Sequence, residues 1–201
     1  MNTNGENIMF RVVQDALQHA ITARGITDKA AIHAFVREGT TAFYGDFFFW
    51  VNAFALVVQA LLASRLLRYG GLATVLLMLP VMSLVSYTAM ALVPMLAVVR
   101  IMKVAENGTN YSINNTARQV LWLPTTAEMK YQAKPAIDSF VVRFGDGLAA
   151  LTVLIGIHVL DASTQTMILM NVALILAWLA VSVVVLREQR AELARRSSTI
   201  V

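Results

Sequence analysis

Cysteine is absent from this 201-residue chain, and charged residues are scarce. Without cysteine there is no disulfide, no thiolate metal ligand and no cysteine nucleophile. Charged residues make up 14% of the chain and apolar residues 58%. A soluble domain has about 25% charged residues and about 45–50% apolar residues. A small domain leaves much of its surface in water, so this composition excludes a soluble enzyme, a disordered chain and a nucleic-acid module. It predicts an integral membrane protein.

Motifs for catalysis and export are missing as well. The chain has no Gly-rich phosphate loop, no His-Glu-x-x-His pair and no serine nucleophile elbow. We therefore expect no enzyme, no cofactor and no metal site. The polar start, Met1 to Asn7, lacks a basic stretch leading into an apolar run, so no cleavable signal peptide is expected.

Long apolar runs fill much of the remaining sequence. A transmembrane helix needs about 20 mostly apolar residues. The sequence therefore predicts an all-α, polytopic transmembrane helix bundle with about five spans, at residues 47–64, 72–92, 94–115, 136–160 and 165–186. Short turns at Gly70-Gly71 and Asp161–Thr164 make the spans that they join antiparallel.

The charges of the connecting segments predict the orientation of the chain. Every alternate connection is basic and the others are not: the net charge is +2 for residues 65–71, 118–134 and 187–201, and −1 for residues 1–46 and 161–164. Basic residues collect on the cytoplasmic side of a membrane. We therefore expect a multi-pass protein of the cell (inner) membrane, with a bundle over 47–186 and a basic cytoplasmic tail over 187–201.

Residues 1–46 are predicted to form an extracytoplasmic amphipathic arm. Phe10, Val13 and Leu17 fall on one helical face with polar residues opposite. A second short helix is predicted to begin at Thr27 as its cap. Neither helix is apolar enough to cross the membrane, so both are expected to lie on its surface. The alternative is that this segment is the remnant of a longer chain.

Charged and amide side chains at membrane depth are the candidate functional residues. Each ionised group near the bilayer centre costs about 2.5–3.5 kcal/mol, so such groups face water or opposite charge. Steps of three and four residues give the third span one polar stripe, formed by Arg100, Lys103, Asn107, Asn110 and Asn114. The fourth span carries a stripe with Arg143 and Asp146, and the first span carries Asn52 and Gln59.

Three polar stripes predict a shared hydrophilic cleft. The alternative is that these groups only join helices by hydrogen bonds. Two neighbouring cations, Arg100 and Lys103, favour an anionic solute. We predict that four further residues complete or gate this binding site, namely Asn107, Asn110, Arg143 and Asp146. The predicted partners are the lipid bilayer and a small anion, without nucleic acid.

The sequence from Asn110 to Asp146 resembles the ATP/ADP translocase family of nucleotide transporters, which is related to the major facilitator superfamily. The resemblance is carried by Tyr111-Ser112, Ala117-Arg118-Gln119, Trp122-Leu123-Pro124, Lys130-Tyr131-Gln132-Ala133-Lys134 and Ala136-Ile137-Asp138. Weaker similarity covers roughly Asp28 to Leu186. The resemblance implies spans eight to twelve of a twelve-helix carrier, that is, most of its C-terminal half only. The chain departs from the family at Asp146, where nucleotide exchangers usually have lysine.

The resemblance implies transport of an anionic solute such as a nucleotide through a cleft in which cations bind phosphates. Facilitator-type carriers bind their solute between two halves. We therefore expect a fragment or half-transporter, completed by a missing N-terminal half, a second copy or a partner membrane subunit. The alternative function is a non-transporting membrane scaffold or assembly subunit, whose buried charges pair with a partner chain.

Overall fold

The computed structural model describes residues 2–121, 127–158 and 163–199, and every regular element in these ranges is helical. The predicted all-α class is thereby confirmed for the described part of the chain. The α-helices there are Asn2–Arg24 (α1), Lys29–Val58 (α2), Ser64–Leu92 (α3), Leu96–Thr109 (α4), Asn115–Leu121 (α5), Ala127–Ala136 (α6), Val142–His158 (α7) and Thr164–Thr199 (α8). Short π-helical turns join some of these helices, at Gln59–Ala63, Asn110–Asn114 and Ile137–Val141.

A glycine marks a break in the backbone inside α3. Gly71 lies inside α3 with φ +68° and ψ −175°, a backbone region that is essentially restricted to glycine. The helical segment that starts with α2 ends at this break, and the rest of α3 begins after it. The turn predicted at Gly70-Gly71 corresponds to this position.

Two segments of the described chain are long and apolar enough to cross a membrane, residues 29–92 and 164–188. Helices α4 and α7 have 14 and 17 residues. A helix that crosses the membrane needs about 20 residues. Helices α4 and α7 reach that length only if the adjoining π-helical turns are counted with them. The count of five spans stays a prediction, and the turn predicted at 161–164 lies largely outside the described residues.

The second helix begins at a different cap and is much longer than expected. The side chain of Asp28 caps α2 by accepting a hydrogen bond from the backbone N–H of Ala31 at 2.8 Å. The prediction of a short helix capped by Thr27 is therefore wrong. Since the sequence from Lys29 to Val58 contains no proline, the helix continues into the first predicted span. Residue 46, the predicted end of the amphipathic arm, lies inside α2.

Helix α4 lies at the centre of the described bundle, where it packs against α1, α2 and α3. Helix α3 also packs along α8. The main core cluster joins residues from five of these helices, Ile8, Met9, Val13, Phe47, Val51, Tyr87, Met90, Val99, Met167, Ile168 and Ile175. Ile8, Met9 and Val13 of α1 are thus part of the bundle core, whereas Phe10 of the predicted apolar face is 45% exposed. Its extracytoplasmic location stays a prediction.

Candidate functional site

The polar stripe of the third predicted span faces the interior of the bundle. Lys103 is fully buried and Asn107 is 1% exposed, whereas Arg100, Asn110 and Asn114 are half-buried. The stripe continues from α4 into the π-helical turn Asn110–Asn114. Single π-helical turns widen a helix locally and are frequent at functional sites.

Lys103 and Glu106 form a buried ion pair on α4. Lys103 Nζ lies 2.8 Å from one carboxylate oxygen of Glu106, and the hydroxyl of Ser83 on α3 donates to the other at 3.0 Å. Lys103 Nζ also lies 5.9 Å from the centre of the Tyr87 ring. Removing one member of a buried ion pair costs about 3–5 kcal/mol because the other charge is left uncompensated. The ammonium of Lys103 is thus already neutralised within the chain.

A partly open cavity of about 150 Å³ lies beside this pair, between α3, α4 and α8. Its polar lining comes from Ser83, Glu106, Asn107, Asn110 and Asn114 and its apolar lining from Leu79 and Trp178. Asn114 Nδ2 donates to Asn110 Oδ1 at 2.8 Å, whereas Asn107 Nδ2 is buried without a hydrogen-bond partner. A buried amide without a partner indicates room for water or another polar occupant.

The first turn of α1 covers Lys103 from the side. A Cβ added to Gly5 would collide with the Tyr87 hydroxyl and with Lys103 Nζ, so only glycine permits this approach. The neighbouring Asn4 Nδ2 donates to Asn171 Oδ1 on α8 at 3.4 Å. Helix α1 therefore closes the bundle over the buried ammonium.

A second feature is an open groove of about 470 Å³ between α2 and α4. Its walls are formed by Trp50, Phe54, Ala97, Arg100, Ile101, Val104 and Ala105. Arg100 Nη2 is paired with Asp46 Oδ2, and the Arg100 guanidinium lies 6.0 Å from the centre of the Phe43 ring. Small-molecule sites usually occupy about 300–1,000 Å³ and combine an apolar lining with few polar groups. The groove meets both criteria.

The structure brings together only some of the predicted site residues. Arg100 lines the groove, and Asn107 and Asn110 line the separate cavity. Arg143 and Asp146 are exposed on α7, a helix that packs against α1.

The two polar residues predicted to line the first span have different hydrogen-bond partners. Asn52 Nδ2 donates to Phe48 O of its own helix at 2.7 Å, and Gln59 Nε2 donates to Thr116 Oγ1 at 3.3 Å.

Sequence reasoning left several residues of these sites unassigned. Trp50 and Phe54 form one wall of the groove, Asp46 pairs with Arg100, and Ser83 hydrogen-bonds Glu106. The spacing of Trp50 and Phe54, four residues apart on α2, was a usable signal because such residues share a helical face. The sequence contains no comparable signal for Ser83, because the role of Ser83 depends on which helix packs beside α4.

Comparison with known proteins identifies the class of protein to which these helices belong. Residues 51–189 match the family model described as TLC ATP/ADP transporter. The chain therefore belongs to this family of membrane transporters, which are not enzymes, and the resemblance found in the sequence is confirmed.

Two curated relatives are similar to part of the chain. They are the proteins named ADP,ATP carrier protein 1 of Chlamydia trachomatis and of Chlamydia muridarum. Each is 26% identical over 162 residues, covering 69% of this chain and 31% of the relative. The chain thus spans about a third of the length of these relatives. No solved structure matches the chain significantly.

Proposed function

We propose that the chain forms one wall of a nucleotide carrier, with the nucleotide lying in the groove between α2 and α4. The observation that carries this proposal is the lining of the groove, where the Arg100 guanidinium stands beside Trp50 and Phe54. Guanidinium groups bind phosphates through paired hydrogen bonds, and aromatic rings stack on nucleobases. The relatives named as ADP,ATP carriers support a nucleotide as the solute.

In this proposal the nucleotide phosphate replaces Asp46 as the partner of Arg100. Lys103 lies about one helical turn further along α4 in a buried position, where Glu106 already neutralises its charge. Asn107 and Asn110 line a cavity of about 150 Å³, and a small-molecule site usually has at least about 300 Å³. In this proposal the two amides therefore do not bind the nucleotide but shape α4 beside it. Arg143 and Asp146 offer charges on the exposed side of α7.

The proposed carrier has further helices on the open side of the groove. Facilitator-type carriers hold their solute between two helical halves, and this chain matches 31% of the length of its carrier relatives. Five spans with a cytoplasmic C-terminus are the proposed arrangement of the described helices. An N-terminal half, a second copy or a partner membrane subunit then supplies the opposite wall.

Uptake of labelled ATP and ADP into proteoliposomes tests this proposal. We expect uptake when the wild-type chain is reconstituted with the membrane proteins that copurify with it, and at least a tenfold loss in Arg100→Ala, about 1.4 kcal/mol of lost binding. Arg37→Ala, which removes an exposed arginine of α2, is the matched control and should retain uptake. Equal uptake by both variants would remove Arg100 from the site.

A non-transporting assembly subunit is the second candidate function. It is favoured by the pairing of both candidate cations, Arg100 with Asp46 and Lys103 with Glu106, although these pairs form within the chain and not with a partner chain as the sequence led us to expect. Cations with partners of their own need no anionic solute. Absence of uptake together with stable copurification of another membrane protein would support this function instead.

A further inference from the structure

A cavity of about 210 Å³ lies between α3 and α8, two helices that pack along each other. Ala73 and Leu77 of α3 and Val183 and Leu186 of α8 form its apolar walls, and Arg187 is the charged residue of the lining. None of these residues lines the groove between α2 and α4 or the cavity beside the buried ion pair. The proposed function therefore leaves this cavity without a role.

Arg187 lies where an apolar segment ends. Residues 164–188 are long and apolar enough to cross a membrane, and an arginine at the end of such a segment keeps its stem on apolar surface and its guanidinium at the level of the lipid headgroups. Arg187 is exposed, and no carboxylate in the described part of the chain forms an ion pair with it. The neighbouring Glu188 projects about 100° away around α8 and does not line the cavity. The guanidinium is therefore available to an anion.

Arg65 and Arg68 add positive charge at the same end of the bundle. Arg68 precedes Ala73 of the cavity wall by five residues, so their Cα atoms are at most about 18 Å apart. Both arginines are exposed, and neither forms an ion pair within the described ranges. The guanidinium of Arg68 lies over the ring of Tyr69, which is 80% exposed. Tyrosine is enriched at the membrane–water interface, so this end of the bundle has the side chains of a surface that meets lipid headgroups.

We propose that the cavity between α3 and α8 binds an anionic phospholipid, with the lipid phosphate at Arg187 and the glycerol and upper acyl chain against the apolar walls. Basic pockets between transmembrane helices bind anionic lipid headgroups, and a guanidinium binds phosphate through paired hydrogen bonds. The bound lipid fills the space between the two helices and stabilises their packing. This inference does not depend on nucleotide transport.

A phospholipid fits this cavity better than a soluble anion. The volume of about 210 Å³ is below the about 300 Å³ at which small-molecule sites usually begin, so the cavity holds only part of a molecule. A phospholipid leaves the rest of its acyl chains in the bilayer. A free phosphate would instead lose hydration against apolar walls that offer no hydrogen bond, which costs binding free energy.

Native mass spectrometry of the full chain, released from detergent micelles that contain added phospholipid, tests this inference. We expect the wild type to bind anionic phosphatidylglycerol at least about tenfold more tightly than zwitterionic phosphatidylcholine. Arg187→Gln should weaken the binding of phosphatidylglycerol about fivefold, the usual effect of one arginine at an anionic membrane surface. Arg37→Gln, at an exposed arginine of α2, is the matched control and should bind phosphatidylglycerol as the wild type does.

A second variant separates the cavity from the charge of the surface. Ala73→Leu keeps every charge and fills part of the cavity, so it should also weaken the binding of phosphatidylglycerol about fivefold. If Ala73→Leu does not fold, Val183→Phe fills the cavity from α8, where the native side chain is 37% exposed.

Three results would overturn the proposed lipid site. The first is equal affinity of the wild type for the two lipids. The second is wild-type affinity for phosphatidylglycerol in Arg187→Gln or in the cavity-filling variant, since the site needs both the guanidinium and the space. The third is displacement of the lipid by glycerol 3-phosphate, which would identify a site for soluble phosphates instead.

Discussion

Gly5 shows how one missing Cβ shapes the bundle at the scale of a single residue. Its backbone lies against the Tyr87 hydroxyl and Lys103 Nζ, and the adjoining Asn4 reaches Asn171. The approach of α1 to α4 therefore depends on this glycine, although nothing in its local sequence distinguishes it from Gly45, which has open space around it.

Gly5→Val should destabilise the protein by about 1–3 kcal/mol, the usual cost of forcing extra methyl groups into a packed interior. Gly45→Ala is the matched control. An alanine there meets no neighbour and should stabilise α2 by about 0.5–1 kcal/mol. Denaturant unfolding in detergent, followed by circular dichroism, measures both changes. Equal stability of Gly5→Val and wild type would show that α1 does not pack over Lys103.

The buried ion pair supports a second prediction for single residues. Lys103→Met leaves Glu106 charged without its partner and should cost about 3–5 kcal/mol, whereas Lys103→Met/Glu106→Leu should cost less because no charge remains unpaired. The unfolding free energies of wild type, both single variants and the double variant form the cycle that measures the coupling. Additive costs would contradict the ion pair.

At the scale of helices, sequence spacing predicted the polar stripe of α4 but not the surfaces that it meets. Steps of three and four residues place Arg100, Lys103 and Asn107 on one side of any helix. The groove instead depends on how α2 packs on α4, with Phe54 against Gly108. Such contacts join distant parts of the chain, and the periodicity of either helix alone does not specify them.

The backbone break at Gly71 in α3 leads to a prediction about helix stability. Gly71→Ala places a Cβ at φ +68° and ψ −175° and should cost about 1–3 kcal/mol, because this backbone region is essentially restricted to glycine. Gly145→Ala, at a helical glycine with open surroundings, is the control. Thermal unfolding in detergent should show a lower midpoint for Gly71→Ala only. An unchanged midpoint would indicate that the helix is continuous there.

At the scale of the whole molecule, composition predicted a membrane bundle and charge alternation predicted its orientation. The helical class and the transporter family are confirmed, and the orientation is still a prediction. The packing of α1 into the core could not be predicted, because its mixed sequence also fits a helix on the membrane surface. Only its neighbours in space decide between these positions.

The absence of cysteine makes the orientation directly measurable. Single cysteines at Ser163 and Glu188, which flank the last apolar segment and are exposed, should lie on opposite sides of the membrane. We expect an impermeant maleimide to label Ser163→Cys in intact cells and Glu188→Cys only after permeabilisation. Labelling of both in intact cells would contradict the predicted topology.

Photo-cross-linking with azido-ATP tests most directly whether the face formed by α2 and α4 holds a nucleotide. We predict an adduct on the peptide that contains Trp50 and Phe54, which excess unlabelled ATP prevents and which Arg100→Ala abolishes, while Arg37→Ala retains it. An adduct confined to other helices, or one that excess ATP does not prevent, would contradict this account of the protein.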